Sequence, residues 1–367
     1  MDLALADAEL AVEELAAQVL GTDVVPLAEG FDRDRWSSLA RAGLLGIALP
    51  ERHGGAGLGQ LALHLLLVAA GRTAAELPLV EALVLGAGAV ERAGTPAQQA
   101  TWLPPVAAGE LVLTAAVLDA GSRDPDDVLT SALVTGDGVR LDGTKLGVGV
   151  LDHAARVVVP AATSDGRLLL ALVDPTAEGC TVTSQEVHGG AVVADLQLDG
   201  VVVGAEDVLG DVDGDARSAW QETVLRGSAA VASLQAGAAA GALALAATHT
   251  ATREQFGRPL ATFQAVSQRL ADAYIDVEGV RLAALQAAWR LEVGLPAADA
   301  VATAGWWGAE AGDRVLRATH HVHGGTGVDR DYPLHRLTQL LRRLEFTLGT
   351  ATDHLTRLGR SLAAVVD

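Results

Sequence analysis

The sequence predicts an α+β chain built in three consecutive regimes, and two observations carry that prediction. Apolar residues recur at helical spacing before residue 107 and again after about residue 213. Between them, residues 108–212 hold short β-rich runs separated by turn signals, with no helix-length pattern among them. The expected organisation is therefore an N-terminal helical domain over 1–107, a middle β domain over 108–212 and a C-terminal helical domain over 213–367. In the first regime, RWSSLARAGLL at 35–45 has helical spacing, which Pro50 and the glycines of PERHGGAGLG break. A second helix over 60–73 is apolar on most sides and is expected to be buried. In the middle regime, ARVVVPA, RLLLALVD and AVVADLQL read as strands. Gly136-Asp137-Gly138 and Asp165-Gly166 read as hairpin turns. Strands joined this way favour an antiparallel barrel or sandwich over a βαβ sheet. In the last regime, 216–252 is a long Ala/Gly-rich helix without proline. Phe263, Val266, Leu270, Tyr274 and Val277 form a second periodic stripe. A helix near Pro296 stops at Gly324-Gly325, and Thr350 with Asp353 gives a T-x-x-D capping signal for a last helix.

Composition narrows the function classes. The chain has 367 residues, 50% of them hydrophobic and 20% charged, with a formal net charge of −20. An acidic chain of this kind is not expected to bind nucleic acid, because phosphate recognition needs clustered Lys and Arg. A local basic cleft for an anionic ligand remains compatible with it. The single cysteine, Cys180, excludes an internal disulfide framework and reads as a small buried residue. The N-terminal stretch carries early acids and no basic n-region, so it does not read as a signal peptide. No uninterrupted apolar run reaches the ~18–20 residues of a membrane span. A soluble cytoplasmic protein without a membrane partner is the expectation. The abundance of Ala and Gly predicts helices that pack closely.

There is no dinucleotide G-x-G-x-x-G after a strand, no P-loop, no G-x-S-x-G and no HExxH. His320, His321 and His323 cluster before Gly324, but neighbouring helix positions do not share a face, so no metal is expected. The informative segments are Arg253-Glu254-Gln255-Phe256-Gly257-Arg258-Pro259 with Phe263-Gln264, and His323-Gly324-Gly325-Thr326-Gly327 with Tyr332-Pro333 and Arg336. Together with Pro50-Glu51 and the glycines that follow, they resemble the acyl-CoA dehydrogenase family across essentially the whole chain. The resemblance implies the family architecture of a helical domain, a β domain and a C-terminal four-helix bundle. It also implies FAD, α,β-dehydrogenation of an acyl-CoA, and a flavin seated at a subunit interface. One subunit's β domain cradles the flavin ring. The neighbour's C-terminal helices hold the pyrophosphate and adenosine. By that resemblance Arg253, Gln255, Phe256, Gln264, His321, Gly324, Gly325 and Thr350 are the cofactor-binding candidates. Arg253 offers a planar fork of donors to pyrophosphate, Phe256 an apolar face to adenosine, and Gly324-Gly325 close backbone approach. His321 stands where many members have Gln.

The departures from the family are as informative. Its T-E-x-x-x-G-S-D segment here reads Thr114-Ala115-Ala116-Val117-Leu118-Asp119-Ala120-Gly121-Ser122. Its W-I-T strand reads Gly143-Thr144-Lys145-Leu146-Gly147-Val148-Gly149. The catalytic Glu before a Gly-Thr pair is replaced by Leu348, and the alternative position on the long helix by Gly227. No catalytic base is therefore expected; Glu345 and Glu222 are the nearest substitutes. These losses concern a local flavin, whereas the contacts to a neighbour's FAD persist. The pattern, and the segment HVHGGTGVDRDYPLHR, resemble the non-catalytic-type subunit of actinobacterial α2β2 steroid side-chain acyl-CoA dehydrogenases. That implies a homologous catalytic partner that binds most of the acyl-CoA. Two other readings stay open at this point: a self-sufficient homotetramer with a displaced Glu, and a non-enzymatic binding or scaffold relative.

Overall fold

The computed structural model describes residues 5–24, 31–136 and 138–364. In chain order the helices are α1 Asp7–Leu20, α2 Arg33–Arg41, α3 Gly59–Arg72, α4 Ala87–Ala93, α5 Pro96–Ala107, α6 Arg217–Thr252, α7 Gln264–Glu292, α8 Ala298–His323, α9 Leu334–Leu344 and α10 Ala351–Ala364. The strands are β1 Val112–Ala115, β2 Leu118–Asp119, β3 Ser131–Thr135, β4 Gly138–Gly149, β5 Ala154–Thr163, β6 Leu168–Val173, β7 Cys180–Glu186, β8 Val192–Val203, and the short pair β9 Glu254–Gln255 and β10 Arg258–Pro259. Residues 1–4 and Asp137, on which the N-terminal and one hairpin reading rest, lie outside the described residues. The chain forms two compact units. One comprises Met1–Asp32, Gly59–Leu77 and Ser228–Asp367; the other comprises Arg33–Leu58 and Pro78–Gly227.

The first unit is helical. Within it α1 packs on α3, α3 on α7 and α9, α7 on α8, and α8 on α9 and α10. Glycine makes the tightest seam, as the composition predicts. A Cβ at Gly71 of α3 would stand 2.1 Å from the Leu234 carbonyl oxygen on α6, and one at Gly237 of α6 would stand 2.0 Å from that of Val68. The two backbones touch where side chains would normally hold helices 8–10 Å apart. The Thr350 cap forms as predicted: the Asp353 amide donates to Thr350 Oγ1 at 3.3 Å, and the Thr350 amide donates to Asp353 at 2.8 Å. By length and hydropathy α6 could cross a membrane, but 78% of its most apolar window is buried, so it is a core helix. The stripe on α7 departs from expectation. Val277 is buried, yet Tyr274 is 57% exposed and the adjacent Ile275 65% exposed. The period identified a helix correctly, but this stretch of apolar surface is not covered by its own chain.

The second unit holds one eight-stranded sheet in the order β1-β5-β3-β4-β8-β7, with β2 pairing on β4 and β6 on β5. Most pairings are antiparallel, as the turn signals predict. The β1–β5 and β3–β5 pairings are parallel, with β5 inserted between two strands that precede it in the chain. Gly166 makes the predicted β5–β6 turn at φ +88°. The inward face is aliphatic: Val139, Leu141, Val157, Val159, Leu169 and Leu196 are all buried. Gln98 of α5 ties the sheet's last loop to the helices of this unit, donating to the Glu206 and Val208 carbonyls at 2.8 and 2.6 Å. Cys180 is half-buried rather than buried, and burial pushes its thiol pKa up, with Asp174 adding to the effect.

Candidate cofactor-binding site

At the end of α6 the chain turns through the β9–β10 hairpin. The Arg253 amide donates to the His249 carbonyl at 2.8 Å, and the Leu260 amide donates to the Arg253 carbonyl at 2.9 Å, which closes the loop. Gln255 pairs with Arg258, leaving Phe256 and Gly257 as the two-residue turn. Both have positive φ, +54° and +78°, as a tight hairpin of this hand requires. Glycine adopts that conformation freely, whereas a phenylalanine is strained there by about 1–2 kcal/mol. Phe256 is also 91% exposed. The ring meets Phe263 edge-on with centroids 6.1 Å apart and is otherwise left in water, which points to a ligand or a partner. Residues 251–258 are exposed throughout. The Arg258 guanidinium lies 4.1 Å over the Phe263 ring, and Gln264 follows as the exposed first residue of α7.

The second element is the turn that ends α8. Gly324 takes φ +58°, and a Cβ at either Gly324 or Gly325 would meet nothing within 4 Å. The backbone there is open to a ligand. His321 is exposed beside it. The two elements meet through histidines. The His249 ring stacks on His323 with centroids 4.4 Å apart, and His323 Nε2 lies 2.9 Å from the Tyr332 hydroxyl. The fold thus gathers Arg253, Gln255, Phe256 and Gln264 at the hairpin, with Gly324, Gly325 and His321 beside them. Thr350 is not among them. It caps α10, whose His354 packs on Gly305 of α8, roughly 27 Å of helix before His323 at 1.5 Å per residue.

The base positions hold no acid. Leu348 is buried, with φ +61°, and its carbonyl accepts from Arg357 at 3.3 Å. Gly227 lies within α6. The substitute acids are engaged in ion pairs. Glu345 pairs with Arg342 at 3.0 Å. Glu222 pairs with Arg226 at 2.7 Å and with Arg92 at 3.6 Å. Burial raises the Glu222 carboxyl, but the Arg226 hydrogen bond and the two guanidinium charges outweigh it and hold it below the ordinary value. A carboxylate stabilised in this way is a poor proton acceptor.

In the β unit, the buried Thr114 spends its hydroxyl on the Gly149 carbonyl at 2.9 Å, and the Ser122 hydroxyl donates to the Asp124 carbonyl at 3.3 Å. Gly147, where the resemblance places an aromatic ring, sits at φ +63° with nothing within 4 Å of where a Cβ would be. One constellation escaped the sequence reading. Lys145 of β4 is wholly buried and donates to Asp119 of β2 at 2.7 Å. The same carboxylate accepts from the Leu129 and Thr130 amides at 3.1 Å and from the Thr130 hydroxyl. Burial pushes Lys145 down to about 8 against the pull of Asp119, which leaves the amine protonated at neutral pH. Only the register of β2 on β4, Leu118 against Leu146 and Asp119 against Lys145, brings them together. Among the described residues no group of three His, Cys, Asp or Glu could hold a metal; His320 bonds Thr338 and His323 bonds Tyr332.

The fold, the hairpin and the glycine turn define a class: this chain belongs to the acyl-CoA dehydrogenase family, oxidoreductases acting on CH–CH bonds. Residues 6–110 match its N-terminal domain and 218–363 its C-terminal domain. The acyl-CoA dehydrogenase FadE27 of Mycobacterium tuberculosis is 42% identical over 92% of this chain and 90% of its own length. A chain of the ChsE4–ChsE5 complex from Mycobacterium tuberculosis superposes with a TM-score of 0.91 at 38% identity, covering 99% of both chains. A chain of the Tcur3481–Tcur3483 steroid ACAD, in its G363A variant, gives 0.90 at 38% identity over 98% of this chain and 99% of that one.

Proposed function

We propose that this chain is the non-catalytic-type subunit of a heteromeric, FAD-dependent acyl-CoA dehydrogenase of the cytoplasm. Its hairpin and glycine turn hold the pyrophosphate and adenosine of an FAD whose ring and substrate lie in a homologous partner subunit. One observation carries the reading: an exposed, strained Phe256 beside an Arg253 with no side-chain partner among the described residues, in a chain whose base positions are Leu348 and Gly227. The donor set fits the group. A guanidinium fork suits pyrophosphate, an aromatic face suits adenine, and the open Gly324-Gly325 backbone admits close approach. Bound FAD would supply the hydride acceptor for the β-hydrogen of the acyl-CoA. The base that removes the α-proton belongs to the partner. This chain orients the cofactor and covers its anionic half. A steroid side-chain CoA thioester is the proposed substrate, by analogy with the steroid complex whose fold this chain shares.

Co-expression with the partner subunit should yield a yellow complex absorbing near 450 nm with about one FAD per pair of unlike subunits. A colourless mixture that does not associate refutes the reading. An isolated chain that binds FAD and turns over acyl-CoA would favour a self-sufficient enzyme instead.

A further inference from the structure

The contact between the two cofactor elements is built from residues that the reading above does not assign to the cofactor. His249 lies one turn before the end of α6, and its carbonyl receives the Arg253 amide. His323 is the last residue of α8 and immediately precedes Gly324. Tyr332 lies beyond the turn. The His323 Nδ1 is 2.7 Å from the Thr319 carbonyl, which can only accept, so Nδ1 carries the proton. In the neutral ring Nε2 is then an acceptor, and the Tyr332 hydroxyl donates to it. The rings nest: His249 faces His323 at an interplanar angle of 29°, and Tyr332 stands edge-on to His249 with centroids 6.2 Å apart. Burial, and then Arg253, lower the His249 pKa; burial and the neighbouring His249 and His320 lower that of His323. Both rings are thus neutral at pH 7 and stack without charge repulsion. The stack joins the end of α6 to the end of α8, while the hairpin's own residues are exposed.

We infer that His249, His323 and Tyr332 are positioning residues that lock the 253–258 hairpin and the 324–325 turn into one preorganised clamp for the dinucleotide. The inference rests on the FAD reading above. A two-part site whose halves move independently pays ordering entropy for each half when the ligand binds. A stack that fixes one half against the other removes part of that cost before binding.

Two measurements test it. Hydrogen exchange on the isolated full chain reads the clamp without any cofactor. In Tyr332→Phe and in His249→Ala, amide exchange should rise several-fold at both 254–258 and 324–327, including the segment the mutated residue does not belong to. His249→Phe, which keeps a stacking ring, should restore protection. In the co-purified complex, Tyr332→Phe should weaken FAD binding about five-fold, as expected for the loss of one hydrogen bond. The Tyr332→Phe/His249→Ala double variant should lose less than the product of the two single effects, because both act through one stack. Unchanged exchange, or loosening confined to the mutated segment, overturns the clamp. A wild-type complex without FAD overturns the functional reading, and with it the ligand named here.

Discussion

Replacing Lys145 by Met removes the cation paired with a carboxylate that is almost wholly buried: the side chains are 0% and 2% exposed. Met fills nearly the same volume, so the change is one of charge rather than of packing. Asp119 keeps three donors, the Leu129 and Thr130 amides and the Thr130 hydroxyl, but must hold its negative charge uncompensated. Breaking a buried pair from one side costs about 3–5 kcal/mol. For a unit of this size that lowers the melting temperature by on the order of 10 °C. Urea unfolding followed by tryptophan fluorescence measures it directly, since Trp36 and Trp220 are buried in the same unit. A deficit below about 1 kcal/mol, the range of exposed pairs, refutes the claim that this pair carries the junction of β2 with β4.

Three further outcomes follow from the same structure. Gly237→Ala sets a methyl 2.0 Å from a backbone oxygen that cannot rotate away. It should cost at least about 1–3 kcal/mol, measured by the denaturation midpoint, and a neutral result would mean that α3 and α6 are not in contact. His64 and His354 are both held at about 4 by burial, with Arg281 and Arg357 respectively adding to the effect. Each is neutral in the fold but titrates near 6.5 when unfolded, so stability is intact above pH 6.5 and is lost as the pH falls toward 4. The ceiling is about 3 kcal/mol for each, and His64→Gln with His354→Gln should flatten the stability profile in that window. Glu222→Gln and Glu345→Gln should leave turnover of the complex within about two-fold of wild type; a loss of 10²-fold or more would identify a displaced base.

What the sequence disclosed depended on how far apart the deciding residues lie. The Thr350/Asp353 cap is a signal four residues long, and it formed as read. The Ala/Gly content of α6 announced close packing, but which glycines meet which carbonyls depends on the docking of α3, some 170 residues earlier. Asp119 and Lys145 are 26 residues apart on different strands, and one residue of slip would have pointed them to opposite faces. The His249–His323 stack joins the ends of two helices. The stripe through Tyr274 shows another limit: a helical period reports that one face is apolar without saying whose surface covers it. Arg253, Phe256, Gly324 and Gly325 were singled out by motif, and the structure adds that their surroundings are open. Thr350 was singled out as well, but it stands elsewhere on the unit and caps a helix.

The strained turn at Phe256 bears on how the chain fares inside a cell. Exposed apolar residues usually betray a misfolded or incomplete state, and quality-control machinery reads them as such. Here the ring is displayed by the finished fold, so perfect folding does not hide it. Raising the melting temperature would leave the signal intact.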